Sequence, residues 1–575
     1  MIDAPLRVAK YGISAVISLV DDVLIEQMRK FHCAREAEPY EEIPASDEDA
    51  RARRITAYLD LLDRLVGRQV AALQASPFVP GSEITRYYEL LPEGPLAQQY
   101  RAMLALADPA ERARQQQRLR GLAVPGNIDA NIMSKGDRDA YHNGQKLPPR
   151  FSDASAALRG FAESTLTGSM VFSAGMNPRL YSYAGEFPDF LPNQDGHLKK
   201  TIVLKVSDFH SAAVQGKFLA KRGLWVSEYR IESGLNCGGH AFATKGLLMG
   251  PILEEFRLHK DELIEQLHAV YVKGLRDRGR SAGTEPQTVR ITAQGGIGTA
   301  AEDLLLREYY GADGTGWATP FLLVPEVTNL DDEHRRKLCV ADDDDVYLSD
   351  SSPFGLPFWN LRTSASEEAR RHRIAAGQPG SACFKGYVKL FNTEFTPTPI
   401  CVASRQYQKR KLEELQGNGF AEDQRAAMRE AVLAKSCICN DLAGAATLKN
   451  GIDPAATPAV CCGPNIVNFS RVFTLEEMVG HIYGRNSLVD NPDRPHMFLR
   501  ELDLYLDYLR EQIRKHGLGL AAITPAYLRE FKENLCAGIE HYRLLAQQFA
   551  APLRAAFLET LASQQQAVAA VPETC

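Results

Sequence analysis

Gln287-Thr288-Val289-Arg290-Ile291-Thr292-Ala293 runs straight into Gln294-Gly295-Gly296-Ile297-Gly298-Thr299, then into a Leu- and Glu-rich stretch, and closes at Tyr310-Gly311-Ala312-Asp313-Gly314-Thr315-Gly316-Trp317. The order reads as a strand, a glycine turn, a helix and a short strand stripped of side chains. Upstream, Thr201 to Val206, Ser211 to Gly223 and Leu224 to Ile231 repeat strand, helix, strand. Strict alternation of this kind predicts a parallel sheet covered by helices. Two glycine-lined strand ends in succession predict a shared ligand, because bare backbone amides suit a phosphate. Consecutive late βα-loops that hold a phosphate are the arrangement of a (β/α)₈ TIM barrel, whose C-terminal strand ends converge on one face.

On that same face the spacing places Glu232-Ser233-Gly234-Leu235-Asn236-Cys237-Gly238-Gly239-His240. Two glycines leave His240 open to a ligand, and an imidazole titrates near working pH, so it can take and return a proton. The competing reading is a turn histidine bonded to a carbonyl; the paired glycines and the downstream turns favour the functional one. Cys237 is a candidate nucleophile or a small buried side chain, and Glu232 and Lys245 are flanking charges that either orient His240 or face solvent. The 294–299 turn lacks the glycine spacing of a dinucleotide fold. Asp313, near the expected distance of that fold's ribose acid, fits better in its own Gly-Ala-Asp-Gly strand.

Taken together, these turns resemble the flavin-mononucleotide (FMN) barrels of the nitronate monooxygenase family, formerly called 2-nitropropane dioxygenases. Flavin-dependent enoyl reductases of bacterial fatty-acid synthesis look similar in the same places. The resemblance spans 120–360 and is strongest over 224–326. It implies an FMN-dependent oxidoreductase (a monooxygenase, dehydrogenase or reductase) with His240 as the base that deprotonates substrate. It also implies cofactor contacts from Gly239, Gln294, Gly295, Gly296, Gly298, Thr299, Gly314, Thr315 and Gly316, and from Asn131 and Met133 of an early Asn-x-Met strand end. NAD(P)H or O₂ would be the redox partner of such an enzyme. The chain departs from the pattern in its length and in carrying Asn236-Cys237 before the glycines, so substrate identity is not carried over.

The 575 residues exceed a barrel of about 250 residues. We expect a barrel entrance over 1–45, a helical insertion over 46–120, the barrel over 121–400, and a mainly helical extension with a cysteine-rich segment over 401–575. Residues 51–75 carry Ile55, Leu59, Leu62, Leu65 and Val66 on one stripe. Thr474 with Glu477 forms a capping box, and Thr524-Pro525 opens a helix whose stripe runs from Leu528 through Phe531, Leu535, Ile539 and Tyr542 to Leu545. That stripe predicts a packing surface against the barrel or against a second subunit of a homo-oligomer. Ser173 and Asn177, after Val171-Phe172, are expected at the cleft.

A net charge of −6 with no basic tract argues against nucleic acid and anionic membranes as partners. Apolar runs stay below the roughly 18 residues of a membrane helix, and the acidic N-terminus is unlike a signal sequence, so a cytoplasmic location is expected. Eleven cysteines then read as thiols, not as a disulfide framework. Cys437, Cys439, Cys461 and Cys462 bring four together as possible ligands of an iron–sulfur cluster or zinc, although their spacing matches no common metal motif; buried thiols or a redox pair are the other readings. Two further functions stay open: a flavin-free barrel isomerase, lyase or synthase acting on a phosphorylated substrate, and a non-catalytic scaffold whose helical tail binds a partner.

Overall fold

The computed structural model describes residues 2–572 except 135, 136, 143, 174, 237–244, 282, 354, 356, 383, 384, 387–391, 418 and 522. Seven strands form one sheet: β1 (Ala15–Ser18), β2 (Ile128–Ile132), β3 (Gly168–Phe172), β4 (Lys200–Val206), β5 (Val226–Glu232), β6 (Arg290–Gln294) and β7 (Gly314–Gly316). They neighbour one another in chain order and every pairing is parallel. The sheet curls into a half-barrel.

A closed eight-stranded barrel is not formed among the described residues, which corrects the expectation of a complete (β/α)₈ fold. The next strand in the chain, β8 (Val346–Ser349), instead pairs antiparallel with β9 (Phe358–Leu361) in a separate ladder. Trp359 Nε1 donates to Gly234 O at 2.8 Å, which sets that hairpin beside the C-terminal end of β5. At the other edge Val16 of β1 is 38% exposed, as expected where no strand closes over it.

Alternation along each strand sorts the side chains. Ile17, Ile128, Ala130, Met170, Phe172, Ile202, Leu204, Tyr229, Ile231, Ile291 and Ala293 are buried against the helical layer. That layer includes Ala50–Ala75, Asp153–Glu163, Phe209–Ala220, Met249–Arg276 and three C-terminal helices, Met497–Gly517, Pro525–Leu545 and Ala551–Ala569. The Leu528-to-Leu545 stripe is therefore spent inside the chain, on the same core as the sheet. The later part of the helical insertion forms two helices, Pro95–Leu104 and Pro109–Leu122, because Asp108 caps the second and Pro109 opens it. A second apolar cluster joins 82–104, 320–338 and 460–488. Among the described residues no helix is long and apolar enough to cross a membrane.

Candidate functional site

Apart from Val16, Val171 and Val203, the residues left for the concave face are mostly polar. Its lower layer is Asp129, Ser169, Thr201, Glu228, Arg230 and Thr292. Asp129 Oδ1 accepts from the Ser169 amide at 3.0 Å, Thr201 Oγ1 donates to Ser169 Oγ at 2.9 Å, and Glu228 Oε1 accepts from Thr292 at 2.7 Å and Arg230 at 2.7 Å. Burial pushes the Asp129 carboxyl up from its usual range. The upper layer, at the C-terminal strand ends, holds Asn131, Lys205, Glu232 and Gln294. Glu232 Oε1 gathers Lys205 Nζ at 2.9 Å, Asn236 Nδ2 at 3.1 Å and Gln294 Nε2. Asn131 Oδ1 is buried with no hydrogen-bond partner. A buried carbonyl oxygen in that condition costs about 1–3 kcal/mol, which a ligand N–H or O–H would recover.

The glycine turn after β6 is tightly built. Gly295 (φ +101) and Gly296 (φ +80) take backbone angles that favour glycine, and a Cβ on Gly295 would lie 2.9 Å from Asn236 N. Thr299 caps the helix Ala300–Glu308 in a reciprocal box with Glu302. The Gly298 and Thr299 amides donate to Glu302 Oε2 at 2.8 and 3.2 Å. Arg494 pairs with Glu302 Oε1 at 2.7 Å and reaches Gly296 O at 2.8 Å, while His481 Nε2 meets Gly298 O at 3.0 Å. Burial pushes Glu302 up, but Arg494, His496 and the Gly298 amide outweigh it and hold the carboxyl low. Gly298 and Thr299, expected as phosphate donors, have both amides engaged by an internal carboxylate in this conformation.

Of the last strand, Thr315 points outward and its hydroxyl donates to Asp303 of the covering helix. Gly314 and Gly316 face the concave side, where a Cβ on Gly316 would lie 2.7 Å from Gln294 Oε1. Bare backbone here leaves room for the Gln294 side chain. Met133 directly follows β2, beside Asn131. Ser134 and Ser173 share a hydroxyl contact of 2.6 Å, and Asn177 donates to Ser134 O at 3.0 Å while capping the helix Pro178–Ala184. Ser173 and Asn177 thus knit the β2 and β3 ends together. His240, Gly239 and Cys237 lie outside the described residues.

Of the four cysteines expected together, Cys437 and Cys439 lie within hydrogen-bonding reach of each other, while Cys461 and Cys462 pack into two different apolar clusters. Cys437 caps the helix Ile438–Lys449, and the Cys439 thiol holds its pKa below the usual value. Cys439 packs with Cys401 and Val23, Cys461 with Phe358, Ile438 and Ala459, and Cys462 is buried in the second apolar cluster, where burial pushes its thiol well up. Among the described residues no group of three or more His, Cys, Asp or Glu is placed to hold a metal ion. Adjacent residues point apart, so Cys461 and Cys462 end in different clusters.

Lys205, Glu302 and Arg494 carry this site without having been singled out from sequence. Lys205 and Glu302 had usable signals, a charged residue inside an otherwise apolar strand and a Thr-x-x-Glu box with Thr299. No family model matches the chain, and no curated protein matches it either.

Proposed function

We propose that the chain is an FMN-dependent oxidoreductase that oxidises or reduces a small organic substrate at a carbon bearing an acidic C–H bond. The observation that carries this reading is the orphaned Asn131 Oδ1, a buried acceptor at the C-terminal mouth of a parallel half-barrel. Flavin rings carry an imide N–H donor of the matching kind. Asn131 and Met133 would flank the ring, with Gly295, Gly296 and Gly316 lending main chain to the rest of the cofactor. Gly298 and Thr299 are not among the phosphate donors in this reading, because Glu302 occupies them.

Bound flavin would supply the two-electron chemistry. The chain's own share is acid–base and electrostatic. His240, on the segment after β5, is the proposed base for the substrate C–H. The Lys205 ammonium, held at the mouth by Glu232, would favour negative charge developing on a substrate oxygen. Ser134, Ser173 and Asn177 keep the β2 and β3 ends in place. NAD(P)H or O₂ is the proposed redox partner.

The test is the visible spectrum of the purified full-length chain. Absorption near about 450 nm, the region of oxidised flavin, is expected, and Asn131→Leu should weaken retention of the chromophore. A colourless protein that fails to take up added FMN, yet is stabilised by inorganic phosphate, would move support to a flavin-free enzyme acting on a phosphorylated substrate.

A further inference from the structure

We propose that Cys437 and Cys439 form a thiol–disulfide exchange site that takes a low-molecular-weight disulfide as its oxidant. Such a site works without flavin, so it stands whether or not the concave face binds one.

Spacing along the chain sets the geometry. Cys437 is the N-cap of the helix Ile438–Lys449, and Cys439 lies in its first turn. Only Ile438 separates them, and helical backbone at that one residue puts the two Cα atoms about 5.4 Å apart, inside the roughly 4.4–6.8 Å that a disulfide spans. Two residues so spaced within a regular helix would point to different faces. Cys437 escapes that arrangement, because its ψ of 61° lies outside the helix and turns its side chain away from the helical direction. The segment is held firmly. The Ser436 amide donates to Ser351 O at 3.0 Å, and the Asn440 and Asp441 amides donate to Cys437 O at 3.0 and 3.1 Å.

The two thiols have different surroundings. Cys439 packs against Val23 and the buried Cys401, which makes it the inner member of the pair. Both are half-buried, with enough opening for a small disulfide and too little for one carried on the surface of a folded protein. A helix N-terminus favours a thiolate, and the Lys385 ammonium, paired with Asp21, adds positive charge toward Cys437. In the exchange the Cys437 thiolate attacks one sulfur of R–S–S–R; a bond from Cys437 Sγ to SR forms as the S–S bond breaks, and RS⁻ leaves. Cys439, its proton lost to water, then attacks Cys437 Sγ and expels the second RS⁻. Two protein thiols thus become one disulfide, giving up two electrons and two protons, and the reagent takes them up as two molecules of R–SH.

Glutathione disulfide added to the reduced full-length chain, followed by acid quenching, alkylation and peptide mass spectrometry, tests this. The native chain should yield a Cys437–Cys439 link, lighter than the dithiol by two hydrogens, and dithiothreitol should remove it. Cys439→Ser should stop at a glutathione adduct on Cys437, and Cys437→Ser should lose the linked product altogether. The link in the native chain is the deciding result, so a variant that fails to fold leaves the test intact. Cys536, exposed on the helix Pro525–Leu545, should react in every variant and shows that the reagent is active. Cys437 and Cys439 both staying reduced while Cys536 is modified would overturn the proposal. So would a separate glutathione on each with no bond between them, or a link from Cys439 to Cys401 instead.

Discussion

Replacing Glu501 by Gln should change how stability depends on pH, and the size follows from its surroundings. The carboxyl is enclosed by Met249, Ser233, Tyr542 and Tyr505, and burial pushes its pKa from 4.5 up to about 7. A rise of that size corresponds to about 3 kcal/mol. The folded chain holds the proton more tightly than the unfolded chain, so it is the folded state that binds more protons between pH 4.5 and 7. Stability must then fall as pH rises through that window, with the loss complete above the folded pKa. Gln mimics the protonated acid and cannot ionise. Urea unfolding at pH 5 should therefore find the two proteins close, and at pH 8.5 the Gln variant should be the more stable by up to about 3 kcal/mol. Parallel pH profiles for the two proteins would refute the reasoning, because they would mean that the group is ionised in both states or paired with a cation.

Three other substitutions test separate parts of the molecule. Arg494→Leu leaves Glu302 buried with its charge unmatched and should cost about 3–5 kcal/mol, read by denaturant midpoint; a cost below about 1 kcal/mol would show that the carboxyl is neutral. Lys200, fully buried at the edge of β4, donates to the Phe161, Ala162 and Ser164 carbonyls at the end of the helix Asp153–Glu163. Lys200→Met strands those oxygens and should destabilise by about 2 kcal/mol in thermal unfolding, whereas an unchanged midpoint would mean that water replaces the ammonium. His240→Ala should keep bound flavin and lower turnover by about 10²–10⁴-fold, and full activity in that variant would discard the base assignment.

Local signals were readable where a local cause sets the structure. The apolar stripes of 51–75 and 525–545 and the box at Thr474 and Glu477 each lie within one helix, and each forms as its spacing predicts. Strand order was readable too, because parallel strands joined in succession by helical crossovers leave few other arrangements. Closure was not. It depends on pairing β1 with a strand more than three hundred positions away, and nothing in Val346-Tyr347-Leu348-Ser349 distinguishes a barrel strand from the hairpin partner of Phe358-Trp359-Asn360-Leu361. The glycine turn misled for a different reason: Thr299 and Glu302 form a box of the same kind as Thr474 and Glu477, and a box consumes the amides that an anion would need. A three-residue strand likewise gives no alternation to tell that Thr315 points away from the mouth. Arg494 and Glu501 act through partners 192 and 252 positions away, beyond the reach of any pattern along the chain.

The Arg494–Glu302 pair also bears on how the protein is completed during its own manufacture. As the polypeptide grows, the carboxylate appears 192 residues ahead of its guanidinium, and until that partner emerges the sixth and seventh strands meet around a charge with nowhere to go. The last helices are therefore no removable appendage. Nascent chains halted ahead of Arg494 should remain in the care of chaperones, not settle into a smaller stable fold.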